Sequence, residues 1–404
     1  MKLVRLGALA VSSCFSAGCA AGGSVQGVND STSSSRASRS SAVIATSITY
    51  PVYATLYQHT NNPFLMTFNA LVSVGAFQPP NAATMSNNLW NQGAGKYQTV
   101  GALPLYEGQS SYTTYVISCN AYSSGGPKPP PPLTQQGCSA QGVSVHLPSG
   151  WVPQSGTDRH VTAIDIPGGH EDDMWGGYNN GSYTGPEQCN VIISGGVNYL
   201  NCSWGGDYKF STKGLQSTNN NGSGVAAGFA EGLFELTAGD LLGSGPIQHA
   251  LGVNTECLDN DLSEHTAGAV YPSSRTAGSD QTCAGSGLPS PAPPYGAMWH
   301  LKNSVNVAGL GYGTYCAKIV QAMQTYGMYT MDTGNVQVQL EVENPIVYSH
   351  APYSSNPFYT TIWPSMVSAG DGTGTGANFS FGSCFNRLTA SDFEVYYAPV
   401  ALGF

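Results

Sequence analysis

Charge is what this sequence lacks most. Asp, Glu, Lys and Arg make up 9 % of its 404 residues, against about 25 % in an ordinary soluble domain, so its surface is wetted mainly by Ser, Thr, Asn, Gln and Gly. Only 13 residues are basic, and Lys2, Arg5, Arg36 and Arg39 all precede Ser40. The other nine are scattered, and the formal net charge is −10. Nucleic-acid binding needs clustered cations that release counterions, so that class is excluded; the same shortage argues against anionic polysaccharides and leaves a neutral ligand. No stretch approaches the roughly 18 consecutive apolar residues of a membrane helix. There is no CxxC pair to suggest a zinc-thiolate site and no Gly-x-Ser-x-Gly nucleophile elbow. Gly309-Leu310-Gly311-Tyr312-Gly313 lacks the lysine and preceding parallel strand of a phosphate loop.

Aromatic residues, by contrast, are plentiful. The 23 Tyr, 13 Phe and 6 Trp, with 41 % hydrophobic residues, supply the buriable area that a disordered polar chain does not have. At the N-terminus, Lys2 and Arg5 precede a short apolar run and then small residues, the layout of a signal peptide over residues 1–18. Ser16-Ala17-Gly18-Cys19 reads as a lipoprotein processing box with Cys19 as the lipidated residue. Val11-Ser12-Ser13-Cys14 is a competing box, and simple cleavage after a small residue is the third reading. The Ser-rich remainder of 19–41 reads as a flexible tether, and residues 42–404 as the folded domain. The expected location is the cell envelope, lipid-anchored and facing the periplasm or exterior, with plain secretion as the alternative. The membrane is then a partner through the anchor only.

With Cys14 and Cys19 set aside, eight cysteines remain, an even number that in an exported chain reads as up to four disulfides. Pairing neighbours gives Cys119–Cys138, Cys189–Cys202, Cys257–Cys283 and Cys316–Cys384, one of 105 connectivities.

Short β-rich runs at 43–50, 52–58, 112–119, 143–147, 159–166, 208–212 and 247–255 alternate with Gly, Pro, Asn and Ser clusters. This pattern predicts a mainly β fold, an antiparallel jelly-roll-like sandwich. One helix is predicted over 314–327, where Cys316, Ile319, Val320 and Met323 recur at helical spacing, and a helical turn over 238–242, capped by Thr237 with Asp240 in its first turn. In the strand at 336–343, Val338, Leu340 and Val342 take one face and Gln339, Glu341 and Glu343 the other. That polar row reads either as a solvated outer face or as a groove lined for sugar hydroxyls.

Candidate chemistry is dispersed. His160 lies on the strand Thr157-Asp158-Arg159-His160, with Asp165 farther along it on the other face. The segment Gly168-Gly169-His170-Glu171-Asp172-Asp173-Met174-Trp175 reads as an acidic turn. Its hard oxygens are the one place that would suit Ca²⁺; no cofactor is otherwise expected and no metal ligand is assigned. His249, beside Gln248, is either a satisfied interior donor or a general base on the floor of a cleft. Tyr271 and Arg275 add a phenol and a cation.

The elements Gly245-Pro246-Ile247-Gln248-His249-Ala250-Leu251, Tyr271-Pro272-Ser273-Ser274-Arg275-Thr276 and Ala322-Met323-Gln324-Thr325-Tyr326-Gly327, with Asp332 following, are similar to a pattern G-x-I-x-H-A-L, Y-P-x-x-R-T, Q-x-Y-G. On those motifs the chain resembles a family of secreted, largely uncharacterised bacterial proteins, over about half its length. The resemblance implies an exported jelly-roll-like β-sandwich, sometimes found beside carbohydrate-binding modules, and carries no activity. Ala277 stands where that pattern has Asp.

The expected partner is a neutral glycan or cell-envelope polysaccharide, bound by His160, Gln248, Gln339, Glu341 and Trp175. Two readings stand. One is an envelope protein that binds this ligand without catalysis. The other is a polysaccharide hydrolase or lyase with His249 as base, Tyr271 as proton donor or carrier, Arg275 and Gln248 as charge stabilisers, and Asp165 and Glu341 as the carboxylate pair if it hydrolyses.

Overall fold

The computed structural model describes residues 48–93, 101–119, 138–155, 158–176, 189–215, 223–259, 269–274, 282–285, 287–333, 338–372 and 381–402. The signal segment, Cys19, the tether, Arg275 and the prolines of 126–133 lie outside them.

In chain order the described strands are β1 (Gly101–Leu103), β2 (Leu105–Gly108), β3 (Thr113–Cys119), β4 (Ser144–Leu147), β5 (Val161–Asp165), β6 (His170–Trp175), β7 (Asn190–Ser194) and β8 (Val197–Cys202). They continue with β9 (Trp204–Lys209), β10 (Leu251–Thr255), β11 (Met298–Leu301), β12 (Met328–Thr333), β13 (Gln339–Glu343) and β14 (Phe393–Tyr396). The fold is mainly β, as expected, but it is not one antiparallel sandwich. Three sheets form, in the orders β1-β13-β10-β12-β11-β14, β2-β5-β6-β9 and β4-β3-β8-β7. Each is mixed: β1/β13, β10/β12, β2/β5 and β3/β8 run parallel. Turn signals mark where a strand ends and not which neighbour it joins, so parallel partners distant in sequence were invisible to a local reading.

The expected helix is α4 (Thr314–Thr325), following α1 (Phe68–Ser73), α2 (Ala82–Asn91) and α3 (Ala238–Leu242) and preceding α5 (Trp363–Ser368). Cys316, Ile319, Val320 and Met323 of α4 enter the main core. Past its end, Gly327 has φ +78°, and a Cβ there would lie 2.7 Å from Met298 Cγ, so the chain can turn into β12 only with glycine. α3 carries the expected cap: the Thr237 side chain accepts from the Asp240 N–H, and the Asp240 carboxylate accepts from the Thr237 N–H.

Of the run 43–50, residues 43–47 lie outside the described residues and 48–50 form no strand. Two further sequence assignments change. The run 52–58 forms a 3₁₀ turn (Tyr53–Tyr57) that buries Tyr53 and Tyr57. The acidic segment from His170 to Trp175 is the strand β6, paired on both sides with β5 and β9. Three successive acids argue for a solvated turn on charge alone; tertiary pairing overrides that preference.

All four neighbouring cysteine pairs come together as disulfides, Cys119–Cys138, Cys189–Cys202, Cys257–Cys283 and Cys316–Cys384. Bonds in this number belong to an oxidising extracellular or envelope environment. Among the described residues no helix is long and apolar enough to cross a membrane.

Candidate functional site

Strand alternation sends Glu171, Asp173 and Trp175 of β6 to one face of its sheet and His170, Asp172 and Met174 to the other. Thr162 of β5 pairs with Asp173 and extends the first face. Against that face packs the short turn Glu231–Leu233. The Tyr57 hydroxyl donates to Glu171 Oε2 at 2.7 Å and the Gly232 N–H donates to Oε1 at 2.7 Å. The Glu231 N–H donates to Asp173 Oδ2 at 2.9 Å, and the Thr162 hydroxyl donates to Glu231 Oε2. His160 Nδ1 stands 3.5 Å from Glu231 Oε1. Glycine is required for this fit, because a Cβ at Gly232 would fall 2.6 Å from Glu171 Oε2 and one at Gly224 would collide with Glu231 Oε1.

The polar row of β13 faces the same interior. Gln339, Glu341 and Glu343 are buried, so the solvated-face reading is overturned. Asn254 of β10 donates to Glu341 Oε1, and the Leu103 N–H donates to Glu235 Oε1 at 3.1 Å. Glu343 Oε2 accepts from the Tyr348 hydroxyl at 2.5 Å and from the Ala238 N–H at 3.0 Å. Six carboxylates, Glu171, Asp173, Glu231, Glu235, Glu341 and Glu343, are therefore fully buried.

Ionising acids there is costly. Burial pushes Glu341 up to about 8, with the His160 imidazole pulling it back and Asp332 and Glu231 adding repulsion. Burial likewise pushes Glu343 up to about 8, Glu171 to about 7 and Asp332 to about 6, and raises Asp173 and Glu235 well above the carboxylate range. For His160, burial works against the charged ring, but Glu231, Asp158 and Asp332 together outweigh it and lift the pKa.

The cluster is graded. Its six carboxylates are fully buried; toward solvent come half-buried Asn254, Asp332 and Trp175 and exposed Asp158. The Trp175 indole N–H donates to Asp158 Oδ1 at 3.4 Å. Clustered carboxyl groups with raised pKa values beside a histidine are an arrangement that can hold and pass protons.

Of the residues singled out in the sequence, His160, Glu341, Gln339 and Trp175 belong to this region. Asp165 does not: it points to the opposite face of β5 and pairs with His146 Nδ1 at 2.8 Å. His249 lies elsewhere with Gln248, lining a cleft of about 430 Å³ with His59 and Tyr326. Its Nδ1 is 2.8 Å from the Ala250 carbonyl, and its Nε2 lies 3.2 Å from Asp240 Oδ1 as an ion-pair contact. Tyr271 is buried in the second core, with Tyr329 nearby. Sequence reasoning passed over Glu231, Glu235 and Tyr57. The available signal was acids standing in the apolar run Phe229-Ala230-Glu231-Gly232-Leu233-Phe234-Glu235 of a chain with so little charge.

No protein-family model, curated protein or solved structure matches this chain.

Proposed function

We propose that the protein is an exported, lipid-anchored glycoside hydrolase acting on a neutral glycan. The observation that carries this reading is the unequal pair Glu341 and Glu231. Burial raises the pKa of Glu341 and so favours its protonated form, and Glu231 accepts from the Thr162 hydroxyl and faces His160. Two carboxyl groups with different environments are what acid-assisted cleavage of a glycosidic bond needs. Glu341 donates its proton to the leaving glycosidic oxygen. Water adds to the anomeric carbon, and Glu231 takes the proton that water gives up. His160 acts as a positioning residue for Glu231, and Trp175 stacks on a sugar ring at the rim, where Asp158 and Asn254 offer partners to its hydroxyls.

The test is reducing-end release from a panel of neutral glycans by the full chain, with Glu341→Gln and Glu231→Gln as variants. Each substitution is expected to lower turnover by about 100-fold or more, with an unchanged circular dichroism spectrum. Cleavage that incorporates no oxygen from labelled water would make it a lyase. Saturable glycan binding with no turnover would replace the enzyme by a non-catalytic envelope binder. Turnover unaffected in both variants would remove this pair from the chemistry.

A further inference from the structure

The other face of β6 carries a second, separate constellation. His170 and Asp172 project there together, and Asp207 of β9, paired with Asp172 across the sheet, joins them. One ligand atom from each lies within 4.8 Å of the other two. His170 Nδ1 is 2.7 Å from Asp172 Oδ2 and 3.4 Å from Asp207 Oδ1. Three donors each about 2.0–2.2 Å from a common ion sit roughly 3–3.4 Å from one another; the His170 nitrogen is near that spacing from both carboxylates, and the two carboxylates lie within 4.8 Å of each other.

From this geometry we infer that His170, Asp172 and Asp207 form a binding site for a divalent transition metal, Zn²⁺ or Mn²⁺. Asp172 supplies the independent observation: its side chain is fully buried, and its Oδ1 has no hydrogen-bond partner. Its Oδ2 faces His170 Nδ1, and an orphaned buried oxygen such as Oδ1 costs about 1–3 kcal/mol, which a bound ion would remove. The donor set identifies the ion class. An imidazole nitrogen with two carboxylate oxygens suits zinc or manganese, whereas calcium takes six to eight oxygens, so the earlier expectation of Ca²⁺ in this segment gives way. The His170 and Asp207 side chains retain 14 % and 21 % of their exposure, which leaves the site an entry route from solvent. The surroundings support the ligands: Ser139 Oγ accepts from the Asp207 N–H at 2.9 Å, and a Cβ at Gly168 would crowd His170 Cδ2 at 2.7 Å. Lys209, exposed on β9 near Asp207, is the cation that competes for that carboxylate. Bound there, the metal clamps β6 to β9 from the side opposite the carboxylate cluster, so this inference stands apart from the hydrolytic reading.

The experiment is calorimetric titration of the full-length, disulfide-intact protein, first stripped with chelator, using ZnCl₂, MnCl₂ and CaCl₂ in turn, with thermal melts at each endpoint. One equivalent of Zn²⁺ or Mn²⁺ is expected, with a raised Tm, and Co²⁺ substituted for it should give ligand-field absorption bands. Asp207→Asn and His170→Gln should weaken binding by about 10-fold or more. Asp207 is part-exposed, so that variant keeps the test meaningful where Asp172→Asn fails to fold. The inference is overturned by the lack of saturable Zn²⁺ or Mn²⁺ binding, by affinity unchanged in both variants, or by tighter binding of Ca²⁺.

Discussion

His160 Nδ1 lies 3.5 Å from Glu231 Oε1, with both side chains withdrawn from water. This contact joins a residue just ahead of β5 to a short turn seventy positions later, and it places the imidazole where it also interacts with Glu341 and Asp332. Buried acids and a histidine grouped in this way set the protein's pH behaviour.

Stability should fall as pH rises. Glu341 and Glu343 have folded-state pKa values raised to about 8, and Asp332 to about 6, from ordinary values of 4.5 and 3.8. The folded state therefore holds protons that the unfolded chain has released. The stabilisation is complete below about pH 4.5, declines between there and pH 8, and is flat beyond. The raised pKa of His160 acts in the same direction. Calorimetric Tm should be higher at pH 5 than at pH 8, and Glu341→Gln with Glu343→Gln should flatten the slope. A Tm that climbs toward pH 8 would contradict the buried-acid account.

Trp175→Ala should raise KM or Kd for a glycan about 10-fold and leave kcat nearly unchanged, because the indole sits at the rim and the carboxylates lie deeper. Measuring kcat and KM separately decides it; an equal loss in kcat would place the ring in the reacting centre.

Gly232→Ala should destabilise by about 1–3 kcal/mol through overpacking, since the added Cβ meets Glu171 Oε2 at 2.6 Å and Tyr53 Cβ at 3.1 Å. Urea melts would register this as a lower midpoint at constant m. A wild-type midpoint would mean that the turn has room to move off β6.

Thr237→Ala removes the α3 cap, in which the Thr237 hydroxyl contacts both the Asp240 carboxylate, at 2.7 Å, and the Pro51 carbonyl, at 3.0 Å. A loss of about 1–2 kcal/mol is expected. Thr237→Ser should recover most of it, which distinguishes the hydroxyl from the methyl group.

Replacing Cys257 and Cys283 together by Ser opens a link across 26 residues of sequence separation. By chain entropy that link is worth roughly 3–4 kcal/mol, so Tm should drop by several degrees. An unchanged Tm would show that the surrounding contacts, including the Gln92 amide beside both sulfurs, hold the loop without it.

The amino-acid sequence by itself determined the local features, those that depend on nearby residues. The α4 stripe, the Thr237–Asp240 cap, the strands β3, β4 and β5 and the four neighbouring disulfides all rest on short-range periodicity, capping chemistry or cysteine spacing. Only the tertiary structure decided the parallel pairings and the fate of the acids. Residues 170–175 carry enough charge to read as a solvated turn, and Gln339, Glu341 and Glu343 read as an outer face. Each became interior because another element, the Glu231 turn for one and β10 with the 3₁₀ turn at Pro345–Ser349 for the other, supplied hydrogen-bond donors. A carboxylate's burial depends on what folds over it, and here the donors to Glu171, Asp173 and Glu341 come from distant parts of the chain.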